Sequence, residues 1–203
     1  MVKNIGMIGS SSTHGYYDEQ NLGWFARLGQ KILSVYPGKY VFNNMSQSGD
    51  NIADAVHRAV FEVLSRQFDL IIVNIGTNDL RRRKDSEWQL DFSEGIRIIY
   101  WSKLLDVLTQ TKAIIVVTDL TPVIESRYTA QASLIRYNKD VERYNEIIKN
   151  ICEQKDVRFF SRYYVWKNRK LEKLYKDAIH PNALGHQIMA DEVFDYLQKE
   201  KLL

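Results

Sequence analysis

The sequence predicts a single α/β domain, a doubly wound, mostly parallel sheet with helices on both faces. Three observations predict it. Short apolar runs alternate along the chain with longer segments that carry apolar residues at helical spacing. Two of the short runs, DLIIVNIG (69–76) and AIIVVTDL (113–120), are almost continuously apolar, which is typical of parallel strands buried on both faces. No repeat or low-complexity linker interrupts the 203 residues, so residues 1–203 are expected to form one domain.

Five strands are predicted from short runs rich in apolar, β-branched or aromatic residues. In chain order they are KNIGMI (3–8), KYVFNN (39–44), DLIIVNIG (69–76), AIIVVTDL (113–120) and DVRFF (156–160). Each strand after the first follows a segment with helical spacing. Such alternation is what a parallel sheet with crossover helices requires.

Five helices are predicted from apolar residues that recur three or four positions apart. They cover residues 19–36, 51–66, 92–108, 134–154 and 181–199. Pro37 and Gly38 end the first of them. Ser93 suits the N-cap of the third helix, and Pro181 suits the first turn of the last.

Composition and charge favour an ordinary globular protein. The formal net charge of +3 is too small to indicate a nucleic-acid partner. The single cysteine, Cys152, allows no intrachain disulfide and is expected to be a core thiol on a helix face. The start of the chain, MVKNIGMIGSSS, lacks the apolar run of a signal peptide, and no segment is long enough to span a membrane. A cytoplasmic protein is therefore predicted.

Polar clusters follow the carboxyl ends of the predicted strands. In an open parallel sheet these ends meet at one edge, and ligands bind there. The segments concerned are residues 9–18, 45–51, 76–93, 119–133 and 161–180. All the candidate chemistry described below lies in them, so the sequence predicts one site at this edge.

The first cluster, GSSSTHG (9–15), places three serines where a strand turns into a helix. A serine in such a turn exposes its Oγ to the cleft, and its backbone N–H can help bind an oxyanion. A small-residue turn and an anion site without catalysis are the alternatives. The motif alone does not decide between them.

Two further segments offer hydrogen-bond donors. Gly49 in NMSQSGDN (44–51) allows a backbone conformation that other residues resist and leaves its N–H bare, although a turn before a helix capped by Asp50 or Asn51 explains it equally well. Asn78 in GTND (76–79) can donate from its carboxamide to a developing negative charge. Asp79 can hold the same loop through backbone N–H groups.

The last cluster, KDAIHPNALGH, places Asp177 and His180 three residues apart just before a helix. In a turn the carboxylate can accept the imidazole Nδ1–H, which leaves Nε2 free as a base. A helix cap with a surface histidine is an alternative. A metal pair is a poor one, because two ligands without a third do not make a zinc site. A serine needs such a base to become a nucleophile, so the segments together predict more than each does alone.

These segments resemble the SGNH hydrolases, also called GDSL-type esterases. The family's first block, Gly-Asp-Ser-x-Thr-x-Gly, aligns with residues 9–15, and Thr13 and Gly15 fix the register. Gly49 and Asn78 match the second and third blocks. The block Asp-x-x-His-Pro-x-x-x-Gly matches Asp177 to Gly185, so the resemblance spans nearly the whole chain.

The resemblance implies a flavodoxin-like three-layer α/β/α fold and a serine esterase. Ser11 is the implied nucleophile, with His180 as its base and Asp177 as the residue that orients the histidine. The backbone N–H groups of Ser11 and Gly49 and the side chain of Asn78 are the implied oxyanion hole. No metal and no cofactor are implied.

The chain departs from the family pattern at two positions. Ser10 stands where the family has an aspartate, which is not part of the triad but supports the site through hydrogen bonds. Ser46 stands where the family often has glycine. We expect altered packing rather than lost catalysis, and a weakened or specialised enzyme is the alternative.

The expected substrate is a small acyl ester, an acetyl ester of a carbohydrate above all. The family's substrate range and the aromatic and arginine-rich loops favour it. His14, Tyr16, Arg81 and Tyr128 are the candidate substrate contacts. A lysophospholipase or thioesterase acting on longer acyl chains is the alternative within catalysis, and a non-catalytic glycan- or anion-binding relative is the alternative outside it. The sequence is compatible with a homo-oligomer and does not name the alcohol part of the substrate.

Overall fold

A computed structural model describes residues 2–203 and contains a five-stranded sheet beside a small two-stranded one. The strands, numbered along the chain, are β1 (Lys3–Gly9), β2 (Tyr40–Asn44), β3 (Leu70–Asn74), β4 (Arg82–Arg83), β5 (Ile114–Thr118), β6 (Leu134–Ile135) and β7 (Arg158–Phe160). The main sheet has the order β2-β1-β3-β5-β7, and each of its four pairings is parallel. This is the flavodoxin-like strand order.

Helices connect the strands and cover both faces of the sheet. The α-helices are α1 (Ser11–His14), α2 (Gly23–Val35), α3 (Ile52–Glu62), α4 (Glu94–Leu108), α5 (Asn138–Gln154), α6 (Tyr163–Lys167) and α7 (Ala183–Lys199). Short 3-10 helices cover Thr77–Leu80, Lys84–Ser86, Glu125–Arg127 and Leu171–Lys173. The predicted three-layer α/β/α class is confirmed.

The central strand β3 shows how one sequence supplies two cores. Ile71 and Val73 pack with α3, α4 and α5 on one face of the sheet. Leu70 and Ile72 pack with α2 and α7 on the other. Successive side chains of a strand point to opposite faces, so a strand between two helical layers must be apolar at every position. This is the physical reason for the unbroken apolar run in the sequence.

Several helix bounds differ from the prediction. The first long helix, α2, begins at Gly23 rather than at residue 19, because Asn21 has a left-handed backbone (φ 54°) that a helix does not contain. The helix α3 ends at Glu62 rather than at residue 66, and α4 begins at Glu94 rather than at residue 92, since Ser93 is its N-cap.

The helix predicted from residue 134 begins at Asn138, because Leu134 and Ile135 pair instead with Arg83 and Arg82 in the antiparallel β4–β6 ladder. Apolar spacing over two residues cannot distinguish a helix start from a short strand.

The last helix also begins later than predicted, at Ala183 rather than Pro181. Asn182 is the N-cap, and its side chain accepts from Gly185 N at 3.0 Å. Pro181 forms a bridge with Tyr175 in the preceding loop. The capping asparagine was the stronger start signal, since its side chain satisfies a free N–H of the first turn.

Other local predictions are confirmed. Asn51 caps α3 in a capping box with Asp54, and Ser93 caps α4 by accepting from Ile96 N at 3.4 Å. Cys152 is fully buried, and burial raises the pKa of its thiol to about 12, which makes it an unreactive core residue. Within residues 2–203, no helix combines the length and the apolar character that crossing a bilayer requires.

His186 lies on the buried side of α7 and is 0% exposed. Burial lowers the pKa of its imidazole to about 4. The ring is therefore neutral in the folded protein at pH values where an unfolded chain would protonate it.

We expect the free energy of unfolding to fall as the pH drops from about 6.5 to about 4, because the unfolded chain then binds a proton that folded His186 refuses. The contribution is on the order of 3 kcal/mol. Urea unfolding as a function of pH measures it. His186→Gln should flatten the slope, whereas a change at exposed His57, His57→Gln, should not. Equal slopes in wild type and His186→Gln would contradict the assignment.

Candidate active site

Ser11 lies in a sharp turn at the carboxyl end of β1. Ser10 is still extended (φ −121°, ψ −153°), and α1 begins at the next residue. The single turn of α1 ends at Gly15, which has φ 98° and donates its N–H to Ser11 O at 3.0 Å. Only glycine adopts that backbone conformation without strain. The turn holds Ser11 at the edge of the sheet with its backbone fixed.

Gly9 makes the turn tight. A Cβ atom at this position would lie 2.4 Å from Thr13 Oγ1 and 2.9 Å from Ser46 Oγ. Ser46, which stands where the family often has glycine, thus packs against the turn that carries Ser11. Ser10, the other departure from the family pattern, is buried, and its carbonyl accepts from the N–H groups of Thr13 and His14.

A chain of hydrogen bonds joins the ends of the sequence. Ser11 Oγ lies 2.9 Å from His180 Nε2, and His180 Nδ1 lies 2.7 Å from Asp177 Oδ2. Asp177 Oδ1 accepts from Ile179 N at 2.8 Å and from His180 N at 2.7 Å. The carboxylate is therefore held by its own loop, and it in turn holds the imidazole.

Electrostatics keep Asp177 ionised. Burial alone would raise the pKa of this carboxyl, but the hydrogen bonds from the His180 ring and from the two backbone N–H groups lower it below its ordinary value. A carboxylate beside Nδ1 favours the tautomer that carries its proton there and leaves Nε2 free to accept the Ser11 proton.

The loop that carries Gly49 is attached to the same end of β1. Gln47 N donates to Gly9 O at 3.1 Å, and Met45 N donates to Met7 O at 2.9 Å. Gly49 has φ 92°, and a Cβ atom there would meet nothing within 4 Å. Glycine is needed at this position for its conformation and not for space.

Asn78 lies in the 3-10 helix after β3 and is buried. Its Nδ2 donates to Asp50 O at 2.9 Å, and its Oδ1 accepts from Arg136 Nη2 at 3.0 Å. An amide nitrogen carries two hydrogens, so one remains for a ligand. The structure thus brings the Gly49 and Asn78 segments into direct contact through the carbonyl of Asp50.

Asp79 ties the Asn78 loop to other elements and not, as was predicted, through backbone N–H groups of the loop itself, because its buried carboxylate faces α3 and α5. Its Oδ1 accepts from Ile52 N at 2.8 Å, and its Oδ2 accepts from the Tyr144 hydroxyl at 2.6 Å. Trp101 Nε1 donates to the same hydroxyl at 2.9 Å. Burial raises the pKa of Asp79 to about 6, although the bonds from Tyr144 and Ile52 act in the opposite direction.

The predicted substrate contacts fall into two groups. Tyr16 is 47% exposed, and its ring centroid lies 5.0 Å from that of His180. His14 is exposed, and its Nδ1 lies 3.2 Å from Ser46 O. Tyr128 differs from these, because its hydroxyl oxygen is buried. Tyr17, the neighbour of Tyr16, is 48% exposed, with its ring centroid 5.5 Å from that of His180, and its φ of 62° is rare for a residue other than glycine.

Arg81 is distinguished from the other arginines of the run RRRKD. Arg82 and Arg83 form ion pairs with Asp140 and Asp91. Arg81 donates instead to the carbonyl of Gly49 at 3.0 Å. It is the member of this run that lies against the site.

Two arginines of the site were missed at the sequence level. Arg127 donates to Tyr175 O and Asp177 O, at 3.0 and 2.6 Å, and so supports the histidine loop. Arg136 donates to Asn78, as described above. It lies just beyond the polar segment 119–133, because the following helix was predicted from residue 134. Had the helix been predicted to begin at residue 138, Arg136 would have fallen in the polar segment after β5 and would have been a candidate site residue.

Chemically, the arrangement is a serine with a general base, an orienting carboxylate and nearby hydrogen-bond donors. Across residues 2–203, no group of three or more His, Cys, Asp or Glu side chains is arranged to hold a metal ion. The fold and these side chains together define a class, the α/β serine hydrolases.

Comparison with known proteins identifies the family. The model of the GDSL-like Lipase/Acylhydrolase family matches residues 7–188. An acetylxylan esterase of Geobacillus stearothermophilus is 24% identical over an alignment of 186 positions, which covers 87% of this chain and 81% of that protein. The chain belongs to the GDSL-like lipase/acylhydrolase family and is a serine ester hydrolase.

Solved structures show the same fold. The lipase/acylhydrolase from Enterococcus faecalis superposes with a TM-score of 0.80 at 14% identity, over 98% of this chain and 97% of that one. An acetyl xylan esterase structure from Geobacillus stearothermophilus superposes with a TM-score of 0.73 at 20% identity, over 97% of this chain and 94% of that one. At such identities the likeness establishes the architecture.

We expect Tyr144→Phe to lower the free energy of unfolding by about 1–3 kcal/mol, because it leaves Asp79 Oδ2 and Trp101 Nε1 buried with one partner fewer. Urea unfolding at neutral pH measures the loss. Tyr164→Phe is the matched control, since Tyr164 is 62% exposed. Indistinguishable stabilities of the two variants would show that the buried network does not hold the Asn78 loop.

Proposed function

We propose that this protein hydrolyses a small acyl ester, an acetyl ester of a carbohydrate, through an acyl-enzyme formed on Ser11. The observation that carries the proposal is the unbroken chain from Ser11 Oγ through His180 to Asp177, with separations of 2.9 and 2.7 Å. Both distances lie within the reach that proton transfer requires. A binding module without turnover would have no need of this chain.

In the acylation step, Ser11 Oγ attacks the carbonyl carbon of the ester while its proton passes to His180 Nε2. Asp177 stabilises the imidazolium that results. The tetrahedral intermediate then expels the alcohol, and His180 Nε2 returns the proton to the departing oxygen. Water attacks the acyl-enzyme by the same route, gives its proton to His180 and releases the acid together with the free Ser11 hydroxyl.

The tetrahedral intermediate carries its negative charge on the former carbonyl oxygen, and this oxygen requires hydrogen-bond donors. The backbone N–H groups of Ser11 and Gly49 and Asn78 Nδ2 are the proposed donors. Support comes from the fixed turn at Ser11, the contact of Asn78 with Asp50 O and the attachment of the Gly49 loop to β1. Loss of one such donor typically costs about 2.7–4 kcal/mol of transition-state stabilisation.

The exposed tyrosines beside His180 favour a carbohydrate as the alcohol part. The rings of Tyr16 and Tyr17 lie 4.5 Å apart between centroids, and both lie beside the imidazole. An amphipathic ring offers an apolar face to a sugar ring and a hydroxyl to its polar groups. The left-handed backbone of Tyr17 keeps its ring at the cleft, and such strain often accompanies function. The acetylxylan esterase relative points to the same class of substrate.

Arg81, His14 and Tyr128 are the further proposed substrate contacts. Arg81 lies against the Gly49 loop and would attract a substrate that carries negative charge. His14 is exposed in the nucleophile loop beside Ser46 O. Tyr128 would contribute to the cleft through the part of its ring that is not buried.

Ser11→Ala should abolish the release of p-nitrophenol from p-nitrophenyl acetate and the labelling by a fluorophosphonate probe, because both need the same Oγ. Ser12→Ala is the matched control and should keep both. Rates that fall as the acyl chain lengthens from acetate to octanoate would support a small acyl group.

Rates that rise with chain length would favour the lysophospholipase or thioesterase alternative. Equal labelling of wild type and Ser11→Ala would contradict the choice of nucleophile. A wild-type protein that neither labels nor hydrolyses any of the esters would instead favour the non-catalytic alternative.

Replacing either exposed tyrosine by alanine should raise KM for an acetylated xylo-oligosaccharide by about two- to tenfold, because the variant loses a ring face on which a sugar packs; the scale is the roughly 0.5–1.5 kcal/mol of an aromatic pair. The same variants, Tyr16→Ala and Tyr17→Ala, should change KM for ethyl acetate little, since that substrate has neither a sugar nor an aromatic ring. Tyr164→Ala, at an exposed position outside the site, is the control. Parallel effects on both substrates would argue against a sugar platform.

A further inference from the structure

The geometry points to Arg136 as a positioning residue of the oxyanion hole, which fixes the Asn78 amide with its nitrogen toward the substrate and strengthens it as a donor. This inference rests on the proposed function, because it assigns a role within the same site. Neither the family pattern nor the sequence motifs include this arginine.

Arg136 holds two consecutive residues of the loop after β3. Its Nε donates to Thr77 O at 2.7 Å, and its Nη2 donates to Asn78 Oδ1 at 3.0 Å. The residue is 4% exposed. A guanidinium presents its N–H groups in a rigid fork, so two bonds of this kind fix both the backbone and the side chain of the loop.

The charge on Arg136 has no carboxylate partner. Among the side chains of residues 2–203, no acidic group lies within 4.0 Å of its guanidinium, in contrast to Arg27, Arg58 and Arg82, which pair with Asp18, Asp50 and Asp140. Burying a charge without a counter-ion is costly. A nearby reaction that develops negative charge would supply the missing partner during turnover.

The surrounding charges agree with this interpretation. Burial lowers the pKa of Arg136, the nearby Tyr128 and Asp177 act to raise it, and Arg81 acts to lower it. Arginine keeps its proton in such surroundings, because its ordinary pKa exceeds 12. The guanidinium is therefore a permanent positive charge beside the proposed oxyanion hole.

The partners of Asn78 determine which end of its amide faces the substrate. Arg136 can only donate, and it binds Oδ1. The carbonyl of Asp50 can only accept, and it binds Nδ2. A flipped amide would place donor against donor and acceptor against acceptor, and would lose both bonds in a buried site. The second hydrogen of Nδ2 is then the one that remains for the acyl oxygen.

The cation also polarises the amide. Hydrogen bonds in a chain strengthen one another, and a charged donor on Oδ1 withdraws electron density from Nδ2–H. Nδ2 thereby becomes a better donor to an oxyanion than an amide that faces water. Arg136 does this without touching the substrate, and so acts through Asn78.

A double-mutant cycle tests the inference. Arg136→Met should lower kcat for p-nitrophenyl acetate by about tenfold or more while KM changes little, because the lost interaction develops in the transition state. In an Asn78→Ala background the same substitution should change kcat by less than about twofold, because the amide through which it acts is gone. Guanidinium ion at a non-denaturing concentration should partly restore Arg136→Ala, and methylammonium should not.

Arg82→Met is the matched control. The Arg82 side chain ties β4 to Asp140 in α5 and to Trp88 O in the following loop, so a general loosening of this region would appear in Arg82→Met as well. Its effect on kcat should be small and the same in both backgrounds. Arg136→Lys keeps the positive charge but lacks the planar fork of guanidinium N–H groups. It provides the kinetic comparison if Arg136→Met does not fold.

Equal effects of Arg136→Met with and without Asn78, or a loss confined to stability, would overturn the inference while leaving the esterase proposal intact. Unchanged hydrolysis in both Ser11→Ala and Asn78→Ala would instead overturn the proposed function itself. The two failures are distinguishable. The inference about Arg136 fails in an enzyme whose activity still depends on Ser11 and Asn78, whereas the proposed function fails when the activity depends on neither residue.

Discussion

The hydrogen bond between Ser11 Oγ and His180 Nε2 is the contact on which the rest of the site depends. It joins residues that lie 169 positions apart in the chain. Local secondary structure cannot bring these two residues together. The parallel sheet makes the contact, because it directs the carboxyl ends of all five strands to one edge. The two apolar layers that bury the sheet therefore serve the site by fixing where its loops begin.

Irregular loops then need another means of support, and arginine side chains provide much of it. Arg127 donates to two carbonyls of the segment that precedes His180, Arg136 donates to Thr77 O, and Arg58 donates to Met45 O. A loop without ladder or helix bonds leaves its backbone carbonyls free, and each buried carbonyl needs a donor. A guanidinium reaches several at once. The loops around the site are thus held by hydrogen bonds from side chains to backbone carbonyls. The sheet itself is held by hydrogen bonds between backbone groups.

The sequence predicted the parts that follow periodic or local rules. The apolar runs of β3 and β5 could belong only to doubly buried strands, and the spacing of Asp177 and His180 suited a single turn. It could not predict the β4–β6 ladder, because two residues of Leu134–Ile135 carry no period. Nor could it predict the orientation of Asn78, which follows from Arg136, 58 residues further along the chain. Contacts of that kind depend on tertiary structure and leave no local signal.

The arrangement of charges follows the direction in which charge moves during ester hydrolysis. In the proposed mechanism, a positive charge appears on His180 and a negative one on the acyl oxygen as Ser11 attacks. Asp177 lies against the histidine, and Arg136 lies behind the amide that would face the oxygen. Each fixed charge is therefore opposite in sign to the charge that develops beside it. In a partly buried site such charges interact more strongly than in water, and they need no reorganisation because the loop bonds already hold them in place. The carboxylate that faces the imidazole is itself held within its own loop, by the backbone N–H groups of Ile179 and His180.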